Sequence, residues 1–218
     1  MIKTVIFDMD GVLVNSEPLH HEVSLVQFKQ LNIEVTNELF ATFTGNSNKM
    51  IYQKIKDRFQ LDHKIEDLIA AKNNLFIEAF DKKEDLHLMP GVKDLIVDLY
   101  TNGMQLVVAS SSEMIIIDKV FERFDLNQYF MHKVSGNDFP ESKPNPAIFL
   151  KAAELAETPV ENCIVIEDSS NGIKAAKAAG IYCIAYKSEG VDTQDQSQAD
   201  IVVYDYNKLN YQILKNMN

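Results

Sequence analysis

From its second residue the chain alternates between short apolar runs and longer stretches in which apolar residues return every three or four positions. Six runs rich in β-branched residues predict strands over 2–7, 104–109, 132–135, 162–167, 181–186 and 200–204. From residue 88 onward these runs alternate with helical segments. Two of the helices end at a glycine that leads straight into a strand: Gly103 in LYTNGMQLVVA and Gly180 in KAAKAAGIYCIAY. Near-continuous apolar strands separated by helices imply an α/β fold, a parallel sheet covered on both faces.

The stretch from 15 to 87 breaks this rhythm and carries no strand-like run. It reads as successive helices. One begins near SEPLHHEV, with Pro18 at an early helical position and Leu19, Val23 and Val26 on one face. Others are predicted over 46–60 and 63–80, and HLMPGV at 87–92 marks the turn back to the sheet pattern. The expected organisation is an α/β core of residues 1–14 and 88–218, with a helical unit of residues 15–87 inserted after the first strand. An insertion at that point would lie above the carboxyl ends of the strands, where open α/β sheets bind ligands.

Polar residues follow the ends of the predicted strands. Asp8 and Asp10 follow the first, Ser110 and Ser111 the second, and Glu167 and Asp168 the fourth, while Lys143 stands in SKPNPAIF before another helix. Each has a plain explanation of its own. An aspartate after a strand is often a turn residue, Ser110, Ser111 and Ser112 suit a helix cap, EDSSNG is a capping sequence, and a single lysine is ordinarily solvated. A parallel sheet, however, gathers all these ends at one edge, and independent accidents do not converge there. Carboxylates so gathered repel by roughly 4 kcal/mol per pair at about 4 Å and an effective dielectric near 20. The cluster needs a cation. Oxygen donors without a His or Cys set suit a hard ion, Mg²⁺ before Ca²⁺, and Mg²⁺ with Lys143 would turn the crevice into a cradle for a phosphate.

Composition narrows the partners. With 21 basic and 32 acidic residues among 218, the net charge is −11 and there is no Lys/Arg-rich tract, which disfavours nucleic acid and anionic membrane as partners. No stretch approaches the ~20 apolar residues of a membrane span, and no signal-peptide pattern precedes the first strand, so a cytoplasmic protein is expected, and a monomeric one. Cys163 and Cys183, both in strand-like runs, read as buried reduced thiols.

DMDGV, VVASS, SKPNP and VIEDSSNGIKAAKAAG, in this order and spacing, resemble the four motifs of the haloacid dehalogenase superfamily, and the helical insertion resembles its α-helical cap. The similarity spans essentially the whole chain and is strongest to the β-phosphoglucomutase-like branch, which holds sugar-phosphate phosphatases as well as mutases. It implies a Rossmann-like three-layer core, a small phosphorylated metabolite as substrate, and a set of roles. Asp8 would take the phosphoryl group as an aspartyl phosphate, and Asp10 would be general acid and then base. Ser110, Ser111 and Lys143 would hold the phosphoryl oxygens. Asp8, the carbonyl of Asp10 and Asp168 would bind Mg²⁺, with Glu167 nearby. The second aspartate also argues against dehalogenation, which has no use for one at that position.

Within the branch the choice lies between water and a second sugar hydroxyl as phosphoryl acceptor. The mutases grip a distal phosphate with a cap-loop arginine three residues after a glycine. The comparable loop here is TGNSNKM, with Gly45, then Asn48 at the arginine position and Lys49 beside it. Asparagine has no guanidinium fork and lysine is a point charge, so hydrolysis is the expected activity and mutase chemistry the alternative. His20 matches a family histidine near the hinge, tied in the mutases to the acid/base Asp. Lys72 matches a cap lysine that faces the substrate, although on helices both residue types also serve as surface groups. Asn15 replaces a common aspartate, with no evident consequence. A receiver-type phospho-accepting module would share the Asp pair, Mg²⁺, hydroxyl and lysine. It would need its acceptor Asp after a later strand and no helical insertion, whereas Asp138 lies past a glycine in a loop.

Overall fold

The computed structural model of the protein describes residues 1–43, 46–188 and 194–217. The described strands are β1 (Thr4–Phe7), β2 (Gln105–Ser110), β3 (His132–Ser135), β4 (Cys163–Glu167), β5 (Tyr182–Tyr186) and β6 (Ile201–Val203). The described helices are α1 (Glu17–Gln30), α2 (Asn37–Ala41), α3 (Asn48–Phe59), α4 (Ile65–Lys82), α5 (Val92–Thr101), α6 (Met114–Arg123), α7 (Ala147–Leu155), α8 (Ser170–Ala178) and α9 (Tyr211–Leu214). They divide into two compact units, Met1–Asn15 with His87–Asn218 and Ser16–Leu86.

In the first unit the six strands form one parallel sheet in the order β3-β2-β1-β4-β5-β6. Each predicted strand is present, its ends within two residues of the expectation. The central β1 and β4 are buried along their whole length, which is why they read as unbroken apolar runs. Successive side chains point to opposite faces. Ile6, Val107, Val165 and Cys183 meet Phe149 and Ala152 of α7 and Ile173 and Ala176 of α8; the small alanines let those helices lie close. Phe7 meets Phe130 edge-on at 5.7 Å, and Phe130 meets Phe121 of α6 at 5.0 Å. The result is a three-layer Rossmann-like fold with the strand order of doubly wound sheets. Gly103 and Gly180 close their helices at φ +83° and +73°, the left-handed cap expected of them.

The second unit is helical. Its core joins Phe28, Phe43, Tyr52, Ile55 and Leu68, and Gln27 links three helices by donating to the Leu68 carbonyl and accepting from the Tyr52 hydroxyl. Two details correct the expectation. The five-residue α2, capped by the Thr36 hydroxyl, is too short to generate a readable period. Val26 is 44% exposed rather than buried. At about 100° per residue the buried arc of α1 runs from Leu19 past Val23 and Gln27 to Phe28, and Val26 falls just outside it. It lines instead, with Leu75 and Ala79, a groove of about 580 Å³. Among the described residues no helix is long and apolar enough to cross a membrane.

Both cysteines are free and fully buried. Burial, with a smaller push from Glu161, lifts the Cys163 thiol to about 12, and burial likewise raises Cys183. A thiol-specific disulfide reagent at pH near 8 is therefore expected to find no fast-reacting thiol in the native protein and two after denaturation. A fast native thiol would contradict this packing.

Candidate active site

The register of the sheet fixes where the polar residues emerge. Phe7 pairs with Val108 on one side and with Ile166 on the other. The next residues along the three strands, Asp8, Ala109 and Glu167, therefore stand side by side at the carboxyl edge. The strand order reverses between β1 and β4, and a crevice opens at such a switch point. Asp8 extends the ladder by one bond, its N–H donating to the Ile166 carbonyl at 3.0 Å.

Lys143 enters this edge from the loop before α7, where the Lys143–Pro144 peptide is cis. Its ammonium has three protons and finds three acceptors: Asp8 Oδ1 at 2.5 Å, Glu167 Oε1 at 2.9 Å and the Ala109 carbonyl at 3.1 Å. It also lies 4.8 Å from the centre of the Phe149 ring. At 5% exposure it is no surface lysine. Burial alone would favour the neutral amine, but Asp8 and Glu167 outweigh it and hold Lys143 charged. Asp8 goes the other way. Burial pushes its carboxyl well above the usual range, Lys143 offsets part of this, and Glu167 and Asp10 add to the rise.

Glu167 has its second oxygen taken up as well. Oε2 accepts from the N–H of Asp168 at 2.8 Å, the N–H of Ser169 at 2.7 Å and the Ser169 hydroxyl at 3.0 Å. Ser169 in turn caps α8 by accepting from the Gly172 N–H. The first turn of α8 lies so close that a Cβ on Gly172 would sit 1.6 Å from Glu167 Oε1. The capping reading of EDSSNG thus holds for Ser169, while Glu167 in the same stretch is taken up by Lys143.

Asp168 meets the turn after β1. A Cβ on Gly11 would lie 2.4 Å from Asp168 Oδ2, and Gly11 is at φ +79°, so only glycine lets the two acidic turns touch. Asp10, on the same turn, has its Oδ2 within reach of the Ser112 hydroxyl at 2.9 Å and of the Ser110 hydroxyl at 3.4 Å. Ser110 Oγ accepts from the Ser112 N–H at 3.0 Å, and Ser111 backs onto Gly136. The N-cap of α6 is Glu113, with no side-chain cap bond, so the serines do not cap the helix. Ser112 was not foreseen as a site residue. Its i, i+2 spacing from Ser110 at a strand end was the available signal.

The donors present fit a hard divalent cation. One ammonium faces two buried carboxylates, Asp8 and Glu167, and leaves negative charge uncompensated. Among the described residues no three His, Cys, Asp or Glu side chains form a ready-made cage. The candidate oxygens are instead two carboxylates and a backbone carbonyl, a sparse set suited to an ion that keeps several waters.

A family model for haloacid dehalogenase-like hydrolases matches residues 5–186. The chain belongs to this family. It is 34% identical over 191 residues to the Arabidopsis thaliana chloroplastic protein SUPPRESSOR OF QUENCHING 1, covering 86% of this chain but only 18% of that one. It is 31% identical to hexitol phosphatase B of Escherichia coli K12, over 82% of this chain and 80% of the relative. A crystal structure of CbbY from Rhodobacter sphaeroides in complex with phosphate superposes with a TM-score of 0.84 at 27% identity, over 93% and 94% of the two chains.

The hydrolase's helical unit holds the remaining candidates. Lys72, 7% exposed, donates to Asn48 Oδ1 at 2.7 Å. His20 stacks on Phe76 with ring centres 4.3 Å apart. Lys49 is exposed, and Gly45 lies outside the described residues.

Lys143→Met is expected to cost about 3–5 kcal/mol of stability, as removal of one partner of a buried pair does, measured by urea unfolding in EDTA. Lys143 is the group that holds the Asp8 carboxyl down against burial. A carboxyl whose folded pKa is raised favours folding at low pH and costs stability as pH climbs past its unfolded value. The Asp8 carboxyl is raised to about 8 with Lys143 in place, so the deficit is expected to be flat below that pH and to grow above it. A deficit that does not grow there would count against the ion triad.

Proposed function

We propose that the protein is a Mg²⁺-dependent phosphatase that hydrolyses a small phosphomonoester, a sugar phosphate, through an aspartyl phosphate on Asp8. The observation that carries this reading is the pair of aspartates after β1 in opposite settings. Asp8 is locked to a buried ammonium, whereas Asp10, two residues on, is held by serine hydroxyls at the edge of the crevice. One is built to attack and the other to move a proton.

The first step forms a bond from an Asp8 carboxylate oxygen to phosphorus and breaks the bond to the sugar oxygen, which takes its proton from Asp10. In the second, Asp10 takes a proton from water, the water oxygen bonds to phosphorus, and the Asp8–phosphorus bond breaks to release inorganic phosphate. Lys143 and the Ser110 and Ser111 segment meet the charge on the phosphoryl oxygens, and Glu167 keeps Lys143 in position. Asp8, the Asp10 carbonyl and Asp168 would hold Mg²⁺, which neutralises charge on the phosphoryl oxygens when bound. Residues 16–86 serve as the cap. The name of hexitol phosphatase B supports a phosphorylated sugar or sugar alcohol as substrate, and the phosphate in the CbbY structure supports a phosphate-binding site. The neutral amide of Asn48, where the mutases carry arginine, supports hydrolysis over phosphoryl return.

A panel of sugar phosphates with Mg²⁺, assayed for both phosphate release and isomerisation, tests the reading. Asp8→Asn is expected to abolish release, and Asp10→Ala to lower it by roughly 10²–10⁴-fold. Isomerisation faster than release would replace the phosphatase with a mutase.

A further inference from the structure

The acidic turn after β4 is gripped from behind by two glutamines of the segment that joins β5 to β6. Gln196 Nε2 donates to the Asp168 carbonyl at 2.7 Å and to the Tyr186 carbonyl at 2.9 Å. Gln194 Oε1 accepts from the Ser170 N–H at 2.8 Å, at the start of α8. Asp168 is consequently fixed on both sides of its Cα, its N–H by Glu167 and its C=O by Gln196.

The orientation of the Gln196 amide has a cost. Its Oε1 is buried and has no hydrogen-bond partner among the described residues, a state that folded proteins rarely tolerate. The amide cannot turn over to relieve it, because both neighbours are carbonyl oxygens and need the donor side. A connector that only had to cross the sheet edge would have no reason to keep such a group. The Tyr186 carbonyl adds the second link. The Tyr186 ring stacks on Tyr206 at 4.2 Å, and the Tyr206 hydroxyl donates to the Val12 carbonyl at 3.0 Å on the turn after β1. One layer of side chains therefore braces both acidic turns.

We propose that Gln196, assisted by Gln194, is a positioning residue that sets the Asp168 turn for divalent-cation binding. The inference rests on the reading of Asp168 as a cation ligand. Gln196 touches neither substrate nor cation; it acts through the Asp168 backbone, by removing the freedom that the turn would otherwise lose on binding.

The test is calorimetric titration of the whole protein with Mg²⁺, for wild type, Gln196→Met, Gln194→Ala and Lys177→Ala. Methionine keeps the length of Gln196 without its donors. Lys177→Ala removes an ion pair to Asp200 on the same connector and serves as the control. Gln196→Met is expected to weaken Mg²⁺ binding by about tenfold or more, the usual effect of losing a group that supports a ligand. The Mg²⁺ concentration for half-maximal phosphate release should rise in parallel, with kcat at saturating Mg²⁺ near wild type and Lys177→Ala unchanged throughout. Unaltered Mg²⁺ affinity in a cooperatively melting Gln196→Met protein would overturn the proposal. If that variant does not fold, Gln194→Ala decides in the same way. A wild-type protein that neither binds Mg²⁺ nor releases phosphate would instead overturn the phosphatase reading.

Discussion

A single buried ammonium organises the carboxyl edge of this sheet. Lys143 holds three acceptors contributed by three adjacent strands, Asp8 after β1, the Ala109 carbonyl on β2 and Glu167 on β4. That arrangement exists only because parallel register brings those positions level. A buried ion group of this kind is weak evidence for stability, since apolar side chains of similar volume often do as well. Its value is geometric. It fixes one Asp8 oxygen, consumes one Glu167 oxygen, and leaves a local excess of negative charge that a hard cation would neutralise.

The rest of the site follows from how closely its parts approach. Gly11 lets the turn after β1 touch Asp168, and Gly172 lets α8 begin directly over Glu167. With both Glu167 oxygens engaged, four acidic side chains do different work despite similar chemistry. Asp8 is locked and desolvated, Glu167 is a scaffold, Asp10 faces hydroxyls, and Asp168 is aimed by its own backbone. Environment rather than residue type separates the two aspartates after β1, the proposed nucleophile and the proposed proton carrier.

Much of this was legible because the strong signals are local. Buried parallel strands write themselves as apolar runs, and the polar residues after them need only the rule that parallel ends share an edge. The motif resemblance then ordered those residues into roles, and the family match bears out the membership from which the roles were drawn. What escaped depended on distance or on weak periodicity. Helix α2 has only five residues, and Val26 sits just beyond the buried arc of α1. Gln194 and Gln196 lie in a polar connector whose composition suggests a solvated loop, yet their bonds reach back 24 and 28 residues. Ser112 was visible as a hydroxyl but not as a partner of Asp10, which lies 102 residues away.

The central claim is that Asp8 itself becomes phosphorylated. Rapid acid quench of the enzyme turning over its best phosphomonoester, followed by peptide mass spectrometry, addresses it directly. The account predicts one phosphoryl group, labile to hydroxylamine, on the peptide that contains Asp8, appearing before inorganic phosphate and decaying with it. Steady phosphate release with no such adduct, or an adduct on another residue, would contradict it.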